Sequence, residues 1–317
     1  MKPPSLTVWL LNLKHVYRET KFIFPEGRPI SFAKRIIVVI WCLPFLHRAS
    51  LWLKAENNPL LAREFSSLSE IREFLFRPYI NRYWSTVKRL NVIEQHYRLV
   101  CSNASILNLM PDEYIDLIEF DLTQGKLRVV LDRPSWVRRE GEIGLSLFLG
   151  IDRIYTVMFL LLGTSANMKL VIGCVQGVEI DQGKNLYKNL TRTLHGMRPR
   201  DFLLHLLKMI SEELHCNEIL GISDVAHRSN IWYSRAFKHA SYDTMWLEHG
   251  GTKTNDGFFS LAPRHIKRSE MNLTARKRAL YRRRYQFLDD IQESLRRAVL
   301  SPPAKKQHRH GKVQLQQ

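Results

Sequence analysis

The order of apolar and polar residues changes character along the chain. Up to about residue 100, apolar positions recur at helical spacing. In SLSEIREFLFRPYINRYW, Ser67 and Ser69 are candidate caps, and Ile71, Phe74, Leu75, Tyr79 and Tyr83 follow the helical repeat, with Pro78 bending or ending the helix. A second helix follows from about Thr86 to Leu99. From Tyr114 the period shortens. YIDLIEFDLTQGKLRVVLDRP alternates on both sides of Gly125, GEIGLSLFLGIDRIYTVMFLLLG holds two apolar runs broken at Gly150 to Arg153, and MKLVIGCVQG adds a further run. This pattern predicts an antiparallel meander over residues 114–177.

Past Gly177 a polar stretch leads into HGMRPRDFLLHLLKMISEELHC. Pro199 suits a first helical position, and Phe202, Leu203, Leu206, Leu207, Ile210 and Leu214 predict a helix of about four turns. Glu218 to Ser223 reads as a buried strand and Asn230 to His239 as a further helix, so that a βαβα unit stacks on the meander. TARKRALYRRRYQFLDDIQESLRRAVL predicts a last helix with Tyr281, Leu288, Ile291, Leu295 and Ala298 along one face. Residues past Ser301 lack periodicity and predict a mobile tail. The expectation is an α+β protein: a basic helical N-terminal region over 1–100, a central α/β domain over 101–263, a basic C-terminal helix over 264–301 and a disordered basic tail over 302–317.

The longest apolar run, Ile36 to Leu46, covers 11 residues, short of the roughly 20 that span hydrocarbon, and is read as a helix packed on the core. Its flanking Lys34, Arg35 and Arg48, with Trp41 and Trp52, also suit a water–lipid boundary. The first residues are interrupted by Asn12 and Lys14 and show no small-residue cleavage site, which places the chain in the cytoplasm. Cys42, Cys101, Cys174 and Cys216 are too widely spaced for a disulfide framework and are read as free thiols.

Charge sharpens this picture. The net +18 is uneven: residues 1–100 hold 16 Lys and Arg against 7 acids, residues 101–263 hold 17 against 19, and residues 264–317 hold 15 against 4. Ends so basic attract polyanions, first an anionic membrane surface or envelope component and second nucleic acid. Arg276, Lys277, Arg278, Arg282, Arg283 and Arg284 crowd the first half of the last helix and are the candidate contacts. Tyr281 and Tyr285 between them offer a stacking face for the nucleic-acid alternative.

No phosphate-binding GxxxxGK[ST], GxGxxG, HExxH or GxSxG motif is present, which removes the readings that depend on those loops. His195, Arg198 and Arg200 stand at a helix start whose free N–H groups favour an anion; the alternative is a cap whose arginines pair with acids such as Asp201. Asp224 and His227 lie just beyond the buried strand, where α/β sites gather, and form a candidate acid–base pair. Tyr233, on the following helix, is a candidate proton donor; the plainer alternative for Asp224 and His227 is a cap and a surface ring. His308 and His310 lack further ligands, so no metal is assigned.

Taken together, LHGMRPR, the strand ending in GISD, YDTMWLEHGG followed by GFFSLAPR, and KRALYRRRY resemble the VirK/YbjX family of enterobacterial proteins. The likeness covers most of residues 100–300. It implies a cytoplasmic bacterial factor linked to virulence, envelope or surface-protein phenotypes and the response to host defence. At the level of fold, meander, strand, helix, strand and helix also resembles the acyl-CoA N-acyltransferase (GNAT-like) order, which implies an acyltransferase with acyl-CoA as cofactor and Tyr233, Asp224 or His227 as proton carriers. Val175-Gln176-Gly177 departs from that fold's Gly-rich pyrophosphate loop, with a long polar stretch before the helix.

Overall fold

The computed structural model describes residues 5–25, 29–122, 125–177, 183–229, 241–264 and 274–307. The helix expected over Asn230 to His239, Tyr233 within it, and His308 and His310 lie outside the described residues.

Helices open the chain: α1 (Leu6–Ile23), α2 (Pro29–Cys42), α3 (Leu46–Lys54), α4 (Pro59–Ser67) and α5 (Thr86–Asn103). Their starts follow ordinary capping chemistry, with Ser5, Asn58 and Ser85 accepting from the N–H groups of Val8, Leu61 and Lys88. The long helix expected across 67–83 is not formed. Only a 3-10 segment, Ser69–Leu75, is helical, and Pro78 follows it. Tyr79 and Asn81 instead form short bridges, and the N–H of Arg82 donates to the carbonyl of Ala226 at 2.8 Å.

Five strands then run back and forth: β1 (Glu113–Leu122), β2 (Gly125–Asp132), β3 (Ile143–Leu149), β4 (Asp152–Thr164) and β5 (Asn167–Gly177). The expected meander is therefore present. The chain crosses over through α6 (Gly183–Thr193) and α7 (Pro199–Glu213) to β6 (Glu218–Ile222), which lies parallel to β5. After α8 (Tyr242–Glu248), β7 (Thr252–Lys253) and β8 (Phe258–Leu261) complete that side, with β8 antiparallel to β6. α9 (Ala275–Leu300) and β9 (Lys306–Gln307) follow, and one nine-stranded mixed sheet results, in the order β7-β8-β6-β5-β4-β3-β2-β1-β9. The protein is thus α+β, with an N-terminal helical region, a central mixed sheet and a C-terminal helix.

Strand alternation sends neighbours to opposite faces. Phe159 and Ile172 join one core with Phe202, Leu206 and Ile210 of α7 and Leu288, Ile291 and Leu295 of α9. Leu160 and Val171 join another with Ile222 and Phe258, beneath Trp52, Leu61, Phe74 and Leu90. The N-terminal helices are therefore a layer on the sheet rather than an appendage to it.

Of the tail expected from residue 302, residues 302–307 are described, and the last two form a strand. β9 pairs with β1 through Glu113↔Gln307 and Tyr114↔Lys306. Lys305 reaches Glu113 at 3.1 Å and Lys306 reaches Asp116 at 2.8 Å. The open backbone groups of an edge strand, beside two carboxylates, give this short basic segment partners that its own pattern does not announce.

β4 outruns β3: their pairing stops at Phe159, leaving the rest of that β4 edge without a strand. Side chains of α5 replace it. The N–H of Leu161 donates to His96 Nδ1 at 3.1 Å, and that of Gly163 to Gln95 Oε1 at 3.0 Å. Burial, then the charge of Arg133, pushes the His96 imidazole down to about 3 from 6.5. A histidine held neutral in the fold contributes stability that is complete above the unfolded value of 6.5 and is lost as the pH falls toward 3. Urea unfolding should show stability declining by up to about 1.4 kcal/mol per pH unit in that window, with a flatter slope for His96→Asn. A second expectation concerns Gly221 in β6, where a Cβ would overlap the buried Trp246 ring. Gly221→Ala should destabilise the protein by about 1–3 kcal/mol in the same assay.

Candidate functional site

The start of α7 is set by how α6 ends. His195, at φ 50°, occupies the left-handed position that closes a helix, with its N–H on the Arg192 carbonyl at 3.2 Å and the Gly196 N–H on the Thr191 carbonyl at 2.7 Å. Its own carbonyl accepts from Arg284 Nε at 3.1 Å and its ring lies 4.9 Å from Phe287, so His195 faces α9. Arg198 then has the extended conformation that the following proline favours, φ −64° and ψ 148°. Arg198 and Arg200 do converge, on Oε2 of Glu248, at 3.5 and 2.9 Å. Arg200 also meets Asp201 at 3.2 Å, and His249 lies 3.3 Å from the same carboxylate. Burial raises the Asp201 carboxyl, but the His249 hydrogen bond and the His249, Arg200 and Arg198 charges outweigh it and hold the pKa below its ordinary value. The arginines thus meet a carboxylate of α8, away from His195.

Beyond β6, Asp224 caps α8. Its carboxylate accepts from the N–H groups of Tyr242 at 2.8 Å and Asp243 at 3.3 Å and from Ser241 Oγ at 2.6 Å, while Asp243 accepts from the Asp224 N–H at 2.7 Å. The buried His227 has Ser229 Oγ 2.6 Å from Nδ1 and Glu140 Oε1 3.9 Å from Nε2. Glu140, from the 3-10 segment Ser135–Glu140, also holds Arg228 at 2.5 Å. β5 and β6 pair only as far as Ile172↔Gly221. Past that point Cys174, Glu140, His227 and Tyr242 gather, with the Tyr242 hydroxyl accepting from the Val175 N–H at 3.2 Å. Burial, then the charge of Glu140, pushes the Cys174 thiol well up, so the group is a protonated thiol at neutral pH. Sequence reasoning missed Glu140, Cys174 and Tyr242. The one local signal was Gly173, where a Cβ would overlap the Glu140 carbonyl oxygen.

A second buried polar cluster adjoins it. Tyr79 and Tyr97 donate to the two oxygens of Glu142 at 2.8 and 2.7 Å. Arg133 donates to the Tyr97 hydroxyl at 2.9 Å, to the carbonyls of Leu109 and Glu142 at 3.0 and 3.2 Å, and pairs with Glu64 at 2.9 Å and Glu142 at 3.4 Å. Burial raises both tyrosine pKa values well above their ordinary value.

Two surfaces stand apart from these clusters. On α9, Lys277, Arg282 and Arg283 are exposed, Arg278 is half-buried, and Arg284 turns inward to the His195 carbonyl and over the Tyr281 ring; the Arg276 side chain lies outside the described residues. On α2, the run expected to pack on the core does so on one side only. Val38 and Cys42 are buried, whereas Phe32, Ile37, Ile40 and Trp41 are 58, 62, 58 and 53 % exposed. Leu6, Leu10 and Leu11 of α1 are exposed as well, with exposed Lys14, Lys21 and Lys34 nearby in the chain. By length and composition alone, Ser31–Lys54 is sufficient to cross a membrane, and 39 % of its apolar 18-residue stretch is buried against the protein.

A family profile described as a protein of unknown function, DUF535, matches residues 30–297. The chain belongs to the DUF535 family. It is similar to an uncharacterised Haemophilus influenzae protein, 34 % identical over 218 residues that make up 67 % of this chain and 72 % of that one. It is also similar to the uncharacterised Escherichia coli protein YbjX, 26 % identical over 302 residues, 92 % of this chain and 89 % of that one. The VirK/YbjX resemblance is thus sustained at the level of family. No solved structure matches.

The DUF535 match takes in α2, both polar clusters and most of α9, and leaves α1 outside. In this DUF535 protein the Arg133 cluster is the interaction whose loss should be most damaging to folding. Arg133→Met strands the buried Glu64 and Glu142 carboxylates and should cost about 3–5 kcal/mol in urea unfolding. A double change, Arg133→Met with Glu142→Gln, should cost less than the two single effects combined.

Proposed function

We propose that this protein is a cytoplasmic, membrane-peripheral factor that serves the bacterial envelope from the inner leaflet. α1 and α2 lie in the lipid interface, and the basic ends, including Lys277, Arg282 and Arg283, meet anionic headgroups. The observation that carries this reading is the outward stripe of α2, where Phe32, Ile36 and Ile40 follow helical spacing beside Ile37 and Trp41, with exposed Leu43 just past the helix end. A contiguous apolar surface of this kind marks an interaction site. Full burial of one such side chain contributes about 1.5–3 kcal/mol and each basic residue near anionic lipid on the order of 1 kcal/mol, so a few of each suffice for reversible attachment. Nucleic acid would meet the charge but leave the apolar stripe in water. Virulence-linked surface functions and the response to host defence enter as the physiological setting that the VirK/YbjX resemblance implies.

A second reading, a GNAT-like acyltransferase using acyl-CoA, is favoured by the order of elements. The meander β1–β5, the parallel crossover through α7 to β6 and the antiparallel β8 follow that fold's sequence of strands, with β5 and β6 parting at Cys174. Arg198 and Arg200 would then serve the cofactor's phosphates after displacing Glu248, with His227 or Tyr233 as proton carrier. Saturable thermal stabilisation by acetyl-CoA would support this reading, and no shift at millimolar concentration would remove it.

Vesicle flotation tests the first reading. The full-length protein should rise with vesicles containing phosphatidylglycerol and far less with phosphatidylcholine alone. Ile37→Asp with Ile40→Asp should abolish flotation and leave the thermal midpoint unchanged. Negligible binding of the unaltered protein to both vesicle types would overturn it.

A further inference from the structure

A cavity of about 300 Å³ opens between the 3-10 segments Ser69–Leu75 and Ser135–Glu140. Ile71, Phe74 and Trp136 give it apolar walls, and Arg77, Arg138 and Arg139 are among its lining residues. Two of these are matched: Arg77 pairs with Glu73 at 3.0 Å and Arg138 with Glu70 at 3.1 Å. Deeper in, Arg133 and Glu142 answer each other. Arg139 differs. It is half-buried, and among the described residues no carboxylate lies within ion-pair distance of it. The neighbouring acid, Glu140, holds Arg228 instead.

We propose that this cavity binds a phosphate-bearing ligand, with the Arg139 guanidinium as its principal anion contact and Trp136 and Phe74 against its uncharged part. A half-buried cation near the positive charges of Arg228 and Arg77 is stabilised by an arriving anion. Burial, then the charges of Arg228 and Arg77, already lowers the Arg139 pKa. Phosphate fits better than a single carboxylate because its additional oxygens can bridge Arg139 to Arg77 or Arg138, each of which keeps only a partly exposed acid as competitor. The volume accommodates a phosphate with a glycerol-sized group attached.

Position supplies two sources for that chemistry. Phe76, beside Arg77, packs 6.0 Å from Phe24 at the end of α1, and Arg72 lies over the exposed Phe22 ring at 4.3 Å. Phe76 and Arg72, neighbours in the chain of lining residues, thus place the cavity near the end of α1, and a lipid headgroup or a soluble phosphate monoester presents the same group to Arg139. The headgroup source rests on the membrane reading above; the soluble source does not.

The experiment uses full-length protein, Arg139→Gln, Arg139→Lys and, as a surface control, Arg98→Gln. Probes are inorganic phosphate, glycerol 3-phosphate, and vesicles with or without phosphatidylglycerol. Thermal shift should show saturable stabilisation by glycerol 3-phosphate for the unaltered protein and Arg98→Gln, weakened about tenfold or more in Arg139→Gln and less in Arg139→Lys. If only vesicles bind, Arg139→Gln should weaken flotation several-fold beyond Arg98→Gln, which assigns the headgroup. Saturable glycerol 3-phosphate binding without flotation would remove the membrane reading and leave the cavity site standing. Arg139 variants that retain the native circular dichroism yet match Arg98→Gln with every probe would overturn the proposal. If Arg139→Gln fails to fold, the same comparison is made on Arg139→Lys.

Discussion

Arg133 sits where the helical layer meets the sheet, and its guanidinium has a partner on each side. Glu64 comes from α4, Tyr97 from α5, the Leu109 carbonyl from the chain entering β1, and Glu142 from the residue before β3. A buried cation is tolerated only when its charge and its donors are answered, and here both are. The cluster is in turn what makes two buried carboxylates and two buried tyrosine hydroxyls tolerable. Much of the N-terminal layer is held by such polar links across its base as well as by apolar packing. Gln95 and His96 on the overhanging edge of β4 are of the same kind.

The segment Arg139 to Glu142 distributes these links. Arg139 lines the cavity, Glu140 turns to Cys174 and His227, and Glu142 turns to Tyr79 and Tyr97. Gly141 between them has a Cβ position 2.7 Å from the Phe159 nitrogen, so a side chain there would force the segment off the sheet. Opposite it lies Ile80, fully buried at φ 50°, a conformation that a β-branched residue adopts only under constraint. Its N–H donates to the Arg139 carbonyl at 2.8 Å and its carbonyl accepts from Arg228 at 2.9 Å. The strained residue thereby joins the cavity to the cluster at the parted strands.

Much of the fold was legible in the sequence because each strand of the meander buries a regular set of side chains, and Pro199 and the apolar positions of α7 and α9 carry their own periodicity. The helix expected through Tyr83 stops at Leu75, ahead of Pro78, although Ile71, Phe74, Leu75 and Tyr79 all reach the core: apolar spacing marked which residues are buried, and the chain buries the last of them outside a helix. α6 is too polar to announce itself, and β7 and β9 are too short to show alternation. At the candidate sites, Arg198 at the entry to α7 follows from local rules, whereas Asp224 reaches the start of α8 across 17 residues and more. The gathering of Glu140, Cys174 and Tyr242 likewise lies beyond local rules, because those residues meet only through the tertiary fold. For α2, composition identified an apolar helix, and which side of it stays in water depended on where α1 and the sheet came to lie.

Both margins of the nine-stranded sheet are two-residue strands, β7 and β9, and each contributes a lysine: Lys253 on one side and Lys306 on the other. An open sheet of this width ordinarily offers a template onto which another chain's strand can be added. Among the described residues β9 covers β1 at Glu113 and Tyr114 and β7 covers β8 at Phe259 and Ser260, and at both places a lysine stands on the margin, a charge of the kind that discourages a further strand. Where these short strands lie, charge at the margin works against association through the sheet, in a protein whose open apolar surface is on its helices.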